Sequence, residues 1–142
     1  MGRRGKGRGG RRVSTTVVVV VLLVVLVAGL AVGGKLRADS TAERQVDERA
    51  AELAELLDGA TPRDFLAFNS GRSVPGSVAK DVADAEDFVS VDAAADRAVI
   101  RFQPRGWWEG FTERCIVAVV VDEGPEVLTP KVACVRIDPA DW

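Results

Sequence analysis

The first feature of the hydrophobic pattern is an apolar run over residues 13–34, in which twenty-two consecutive positions carry no charge. An α-helix rises ~1.5 Å per residue and the hydrocarbon layer of a membrane is ~30 Å thick, so about twenty apolar residues are enough to cross it. The pattern therefore predicts a transmembrane helix over residues 13–34. We expect this segment to contact the lipid bilayer directly.

A helical pattern follows the apolar run. Its apolar positions are Val46, Ala50, Leu53 and Leu57, at spacings of four, three and four among mostly charged residues. This spacing predicts an amphipathic helix, with residues 39–41 as caps at its start and Asp58-Gly59 at its end. Either the apolar face packs on the sheet of the same domain, or it forms a short coiled coil beneath a dimeric span. We prefer the first because two heptads are short for a coiled coil.

Two short helices are predicted next. Thr61-Pro62-Arg63-Asp64 is typical of a helix start, with Thr as the N-cap, Pro in the first helical position and Asp in the first turn. A second helix is predicted over residues 77–84. Its first residues, Ser77-Val78-Ala79-Lys80, match the S-x-x-K motif of penicillin-interacting acyl-enzymes, but the companion motifs are missing. We therefore interpret Ser77 as a helix N-cap.

The rest of the chain has the apolar pattern of β-strands. Strands are predicted over residues 88–92, 97–103, 111–121 and 127–137. In the first hairpin we expect Val89 opposite Ile100 and Val91 opposite Ala98. Together these elements predict an α+β fold: an N-terminal transmembrane helix, an amphipathic helix and short helices, then a four-stranded antiparallel sheet.

The last hairpin predicts a disulfide. If its turn is centred between Gly124 and Pro125, the numbers of paired residues sum to 249, which places Cys115 directly opposite Cys134. A pair of this kind has Cα atoms ~4.5–5.5 Å apart, within the range of a disulfide. The sequence therefore predicts a Cys115–Cys134 disulfide within the C-terminal hairpin.

Charge divides the chain sharply. Residues 1–38 contain eight Lys or Arg and no acid, whereas the residues from Asp39 onward contain eleven basic residues (19 − 8) and all twenty-one acidic ones. The basic tail over residues 1–12 is expected to be disordered, to stay in the cytoplasm by the positive-inside rule and to attract anionic lipid headgroups. The acidic remainder argues against a nucleic-acid partner.

These features divide the chain into a basic tail (1–12), a transmembrane helix (13–34), a juxtamembrane amphipathic helix (35–58) and a small extracytoplasmic α+β domain (59–142) that packs on that helix. The alternative is a secreted domain after signal cleavage, because Ala31 with Gly33, and Gly29 with Ala31, form small-x-small pairs that a signal peptidase could accept. The apolar run exceeds the ~7–15 residues of a signal core, which favours a retained anchor. Gly29 and Gly33 also form a G-x-x-x-G pair, a candidate helix–helix contact for a weak homodimer.

Candidate chemistry is sparse. The sequence contains no His and no Tyr, and its one Met is the first residue, which removes the commonest general base and the commonest metal ligand. We therefore expect no enzymatic activity, no cofactor and no metal site. The candidate interaction surface is aromatic and consists of Trp107, Trp108 and Phe111, around the start of the predicted third strand. It would contact either an unknown envelope protein or the membrane, unless these residues instead form a lid over the core.

In its order of segments the chain resembles small signal-anchored, single-pass envelope proteins of high-GC bacteria. The resemblance implies a location in the cell membrane and carries no established activity. The order of helix and strands is also similar to that of cystatin-like and NTF2-like folds. We expect a non-catalytic interaction module anchored outside the cytoplasmic membrane. The alternative is a module that binds a small ligand between helix and sheet.

Overall fold

The computed structural model describes residues 15–70 and 77–142. Residues 1–14, which include the basic tail, and residues 71–76 lie outside the described residues. By its internal contacts the chain divides into two compact units, Met1–Gly34 and Lys35–Trp142. The first unit contains the apolar run, and the second contains the sheet.

Helix α1 (Thr15–Leu56) continues through the apolar run and the amphipathic stretch. The apolar side chains of residues 17–27 are exposed, and the helix is long and apolar enough to cross a membrane. The prediction of a separate helix capped at residues 39–41 is wrong. Ser40 Oγ donates to the carbonyl of Arg37 at 3.1 Å, a bond within the helix. No Pro interrupts α1, so its backbone hydrogen bonds can continue through residues 35–42.

Helix α1 ends just before Asp58-Gly59, as predicted. The backbone N–H of Leu57 still donates to the carbonyl of Leu53 at 2.9 Å, and Gly59 then adopts φ +76°. This left-handed conformation strains residues that carry a Cβ, so glycine is the usual residue here.

Two short helices follow, and both predicted N-caps are confirmed. Helix α2 (Pro62–Phe65) begins after Thr61, whose backbone N–H donates to the Asp64 carboxylate at 2.7 Å. Helix α3 (Val78–Ala83) begins after Ser77, whose Oγ accepts a bond from the Lys80 backbone N–H at 3.3 Å. A 3-10 helix (Leu66–Ser70) extends α2.

The sheet confirms the predicted α+β fold. Its antiparallel strands are β1 (Phe88–Ala93), β2 (Ala98–Phe102), β3 (Ile116–Val121) and β4 (Gly124–Leu128), in the spatial order β1-β2-β3-β4. The third strand begins five residues later than predicted, at Ile116. The prediction of a fourth strand over residues 127–137 is wrong, because β4 begins at Gly124 and ends at Leu128.

The predicted register of the first hairpin is wrong by two residues. Val91 pairs with Ile100, and Ala93 pairs with Ala98. The turn is tighter than expected, since the backbone N–H of Ala94 donates to the carbonyl of Arg97 at 2.7 Å. A bulge at the start of β1 leaves Val89 without a ladder partner and exposed.

The predicted register of the last hairpin is also wrong. Val121 pairs with Gly124 and Val117 pairs with Leu128, so the paired numbers sum to 245 and not to 249. Asp122 and Glu123 therefore form a two-residue turn, and Gly124 enters β4 with φ +126°. Pro125 lies inside this edge strand, where a missing N–H is tolerated.

The sheet is covered on both faces. On one face lies the main core, which includes Val46, Leu53, Leu57, Ile100, Phe102 and Ile116. The apolar stripe of α1 therefore packs on the core of its own unit, and this face of the helix is not available for a coiled coil. On the other face, Val99 and Val117 pack with Ile137 and Trp142 of the C-terminal segment.

The predicted disulfide is present, but it does not join two strands. Cys115 immediately precedes β3, and Cys134 begins a 3-10 helix (Cys134–Arg136), with Cα atoms 5.0 Å apart. The chain leaves the sheet after β4 and returns across its second face. Arg101 holds it there by donating to the carbonyl of Ile137 at 2.7 Å.

Candidate functional site

The aromatic loop (residues 104–112) is anchored to the second unit by the side chain of Trp108. This side chain is 1% exposed, and its indole Nε1 donates to Oε1 of Gln45 on α1 at 2.7 Å. A Cβ at Gly106 would lie 2.4 Å from the same nitrogen, so glycine permits the close approach. The turn is closed by the Phe111 backbone N–H, which donates to the Trp108 carbonyl at 2.8 Å.

Trp107 and Phe111 lie on the outside of this loop and are 54% and 51% exposed. Their rings meet edge to face, with centroids 6.3 Å apart and planes at 67°, an arrangement that aromatic rings prefer. We call Trp107 and Phe111 the aromatic pair. The side chains of Trp107 and Trp108 lie on opposite sides of the loop. Trp107, Trp108 and Phe111 therefore do not form one surface, contrary to the sequence-based expectation.

Further contacts join the second unit to α1 near the aromatic loop. Just after the loop, the buried guanidinium of Arg114 pairs with Asp39 at 3.3 Å and donates to Thr112 Oγ1 at 2.8 Å. Lys131 pairs with Glu43 at 3.3 Å. Sequence reasoning missed the Arg114–Asp39 pair, because the two residues are 75 positions apart and no local pattern connects them.

A second feature is an open cleft of about 400 Å³. Its lining residues are Gln45, Arg49, Glu86, Asp87, Pro104 and Arg105. Arg49 donates to both carboxylate oxygens of Asp87, each at 2.9 Å, and to Glu52 at 3.0 Å. The hydrogen bonds to Asp87, followed by that to Glu52, hold the pKa of Arg49 above its ordinary value despite partial burial. Arg49 and Asp87 therefore neutralise each other within the cleft.

The other candidates from the sequence have structural roles or no observed contact. Lys80, the last residue of the S-x-x-K motif, pairs with Asp84, and Ser77 caps the helix. A Cβ at Gly29 or Gly33 would meet no other described atom within 4 Å; their helix–helix contact stays a prediction. Within residues 15–70 and 77–142, no group of three or more His, Cys, Asp or Glu is placed to hold a metal ion.

No family model, no curated protein and no solved structure matches this chain.

Proposed function

We propose that this protein is a non-catalytic interaction module, held on the outer side of a bacterial cell membrane by its N-terminal helix. One observation carries the proposal: a fixed loop presents two half-exposed aromatic rings, Trp107 and Phe111. Loops positioned by a rigid scaffold commonly carry function, and aromatic side chains are enriched where proteins make contacts. The hydrogen bond from Trp108 to Gln45 and the packing of Gly106 supply that rigidity here.

The location is supported by charge and by the disulfide. The eight basic residues before Asp39 favour a cytoplasmic N-terminus under the positive-inside rule. Disulfides persist mainly outside the reducing cytoplasm. The Cys115–Cys134 bond therefore supports an extracytoplasmic second unit.

The structural roles of the cysteines and of Ser77 support the non-catalytic assignment. The sequence contains no His, and both cysteines are joined in the disulfide. Ser77, the only Ser within a nucleophile motif, caps a helix. Cysteine acts as a nucleophile only as a thiolate, and the disulfide-bonded cysteines carry none.

A small-ligand-binding module is the second candidate, and the cleft beside Arg49 favours it. Its volume of about 400 Å³ falls within the range of ligand pockets. It ranks behind the aromatic loop because Arg49 is already engaged by Asp87 and Glu52. A ligand would have to compete with those charge-assisted bonds, which are roughly twice as strong as neutral ones.

A photo-crosslinking amino acid placed at position 107 of the full-length protein tests the proposal in cells. We expect a discrete covalent adduct there, whose second component is identified by mass spectrometry. The matched control carries the probe at Leu66, another exposed apolar residue of the second unit, and should form no such adduct. Equal labelling at both positions would contradict a specific contact.

A further inference from the structure

We propose that the cleft beside Arg49 binds a zwitterion of amino-acid or dipeptide size, whose carboxylate pairs with Arg105 and whose ammonium group pairs with Glu86. The inference assigns a ligand class to this cleft. It does not depend on the contact made by the aromatic pair, because neither residue of that pair lines the cleft.

Backbone pairing brings Glu86 and Arg105 to the same place. The Gln103 backbone N–H donates to the Asp87 carbonyl at 2.7 Å, one position beyond the ladder between β1 and β2. Glu86 and Arg105 lie on the two chains just beyond this bond. Both residues are exposed, and both line the cleft.

Two of the four charges in the cleft are left without a partner. Arg49 pairs with Asp87. Across residues 15–70 and 77–142, the side chains of Glu86 and Arg105 form no hydrogen bond or ion pair, even with each other. A ligand that binds these two side chains does not have to displace the bonds of Arg49. Because the unpaired charges are one cation and one anion, the complementary ligand carries one group of each sign.

Gln45 supplies a second donor for the ligand's carboxylate. The indole Nε1 of Trp108 is a donor only, so the Gln45 amide presents its oxygen to that group. The amide N–H groups are therefore left for another acceptor, and Gln45 lines the same cleft as Arg105. A guanidinium and an amide N–H together match the two acceptor oxygens of a carboxylate.

The charge balance of the cleft disfavours a ligand of one sign. Arg49 and Arg105 are balanced by Glu86 and Asp87, so the lining has no net formal charge. A phosphate bound at Arg105 would face the like charge of Glu86, and a simple cation bound at Glu86 would face that of Arg105. Such juxtaposed like charges exclude wrong ligands. The volume of about 400 Å³ suits a small molecule that carries both signs.

The backbone that carries Arg105 is held on both sides. Pro104, immediately before it, is buried, and its ring fixes φ. Trp108, three residues after it, is bonded to Gln45. A backbone that is already ordered lowers the entropic cost of binding, so this cost falls mainly on the side chains of Arg105 and Glu86.

Saturation-transfer difference NMR on the full-length protein in a nonionic detergent tests the inference, with alanine and alanyl-alanine as the probes. We expect a binding signal from these zwitterions and none from N-acetylalanine or alanine amide, each of which keeps only one of the two charges. Arg105→Gln and Glu86→Gln should each weaken binding at least about tenfold, because each removes a charge-assisted hydrogen bond. Arg63→Gln is the matched control and should leave binding unchanged, since Arg63 is exposed and lies outside the cleft.

The alternative outcomes overturn the assignment. If neither zwitterion binds, the cleft is not such a site. Equal binding of N-acetylalanine would show a site for a carboxylate alone, and binding that survives both cleft substitutions would lie elsewhere on the protein. The crosslink at position 107 is measured separately, so the failure of this inference leaves the proposed function standing, and the absence of an adduct leaves this inference standing.

Discussion

The indole nitrogen of Trp108 and the side-chain oxygen of Gln45 are joined by a 2.7 Å hydrogen bond across 63 residues of sequence. This bond ties the aromatic loop to α1 at the edge of the main core. It separates the roles of two adjacent residues, since Trp108 anchors the loop and Trp107 is left at its surface.

The first prediction contrasts these two tryptophans. Trp108→Ala should lower the free energy of unfolding by about 3–5 kcal/mol, because it opens a cavity in the core. Trp107→Ala should change it by less than about 0.5 kcal/mol, the usual range for surface positions. Urea unfolding of the full-length protein in detergent, followed by near-UV circular dichroism, measures both. Equal losses would show that Trp107 also belongs to the core.

The second prediction concerns Gly106. A methyl group there would lie 2.4 Å from Nε1 of Trp108, so Gly106→Ala should destabilise the protein by about 1–3 kcal/mol through overpacking. Gly110→Ala is the matched control in the same loop, because its Cβ would meet no described atom within 4 Å. The same unfolding assay compares them. A neutral Gly106→Ala would mean that the loop is not held as described.

The third prediction concerns the Cys115–Cys134 disulfide. It closes a loop with a sequence separation of 19, and in a loop-entropy model such a closure contributes about 3 kcal/mol. Replacing both cysteines by Ala should therefore lower the melting temperature clearly. In wild-type protein from the envelope, neither thiol should react with an alkylating reagent before reduction. Free thiols in that sample would contradict the pairing in the cell.

The fourth prediction concerns the Arg49–Asp87 pair. Asp87→Asn should cost roughly 1.5 kcal/mol, the lower end for a charge-assisted hydrogen bond, because Arg49 is 31% exposed and partly screened by solvent. Glu52→Gln is the control and should cost less than about 0.5 kcal/mol, since Glu52 is 66% exposed.

The pH dependence of this pair follows from the raised pKa of Arg49. A raised folded-state pKa contributes stability that is fully present below the ordinary arginine value and is lost only as pH rises through the folded-state pKa. Arg49 should therefore add no pH dependence near neutrality. The difference in stability between wild type and Arg49→Gln, measured from about pH 6 to about pH 9, should stay constant. A difference that shrinks as the pH rises over this range would contradict it.

The fifth prediction concerns the anchor. Protease added to intact protoplasts should remove the second unit, and N-terminal sequencing of the membrane-bound protein should begin before residue 13. We expect this topology because the residues before the apolar run are basic, whereas all the acidic residues follow from Asp39 onward. Protection of the second unit would reverse the topology, and a terminus at Val32 or Gly34 would show a cleaved signal.

Local features of this chain could be predicted because their causes are local. Ser77 caps α3 through a backbone N–H three residues away, and Gly59 ends α1 because it tolerates a positive φ. The stripe Val46, Leu53 and Leu57 is buried as its helical spacing indicates. By contrast, candidate cap residues alone did not reveal that one helix continues from the apolar run into that stripe. Ser40 does not cap a helix, because its Oγ donates to the Arg37 carbonyl within α1.

Long-range pairing was decided by the tertiary structure. The disulfide was predicted correctly from a wrong register: the Asp122-Glu123 turn shifts β4 by four, and Cys134 reaches Cys115 from the returning C-terminal segment. Alternation alone could not fix either register, because slips of two and four residues keep every side chain on the same face of the sheet. Likewise, either Trp107 or Trp108 could have entered the core. The close approach that Gly106 permits and the Gln45 acceptor, which only folding brings together, selected Trp108.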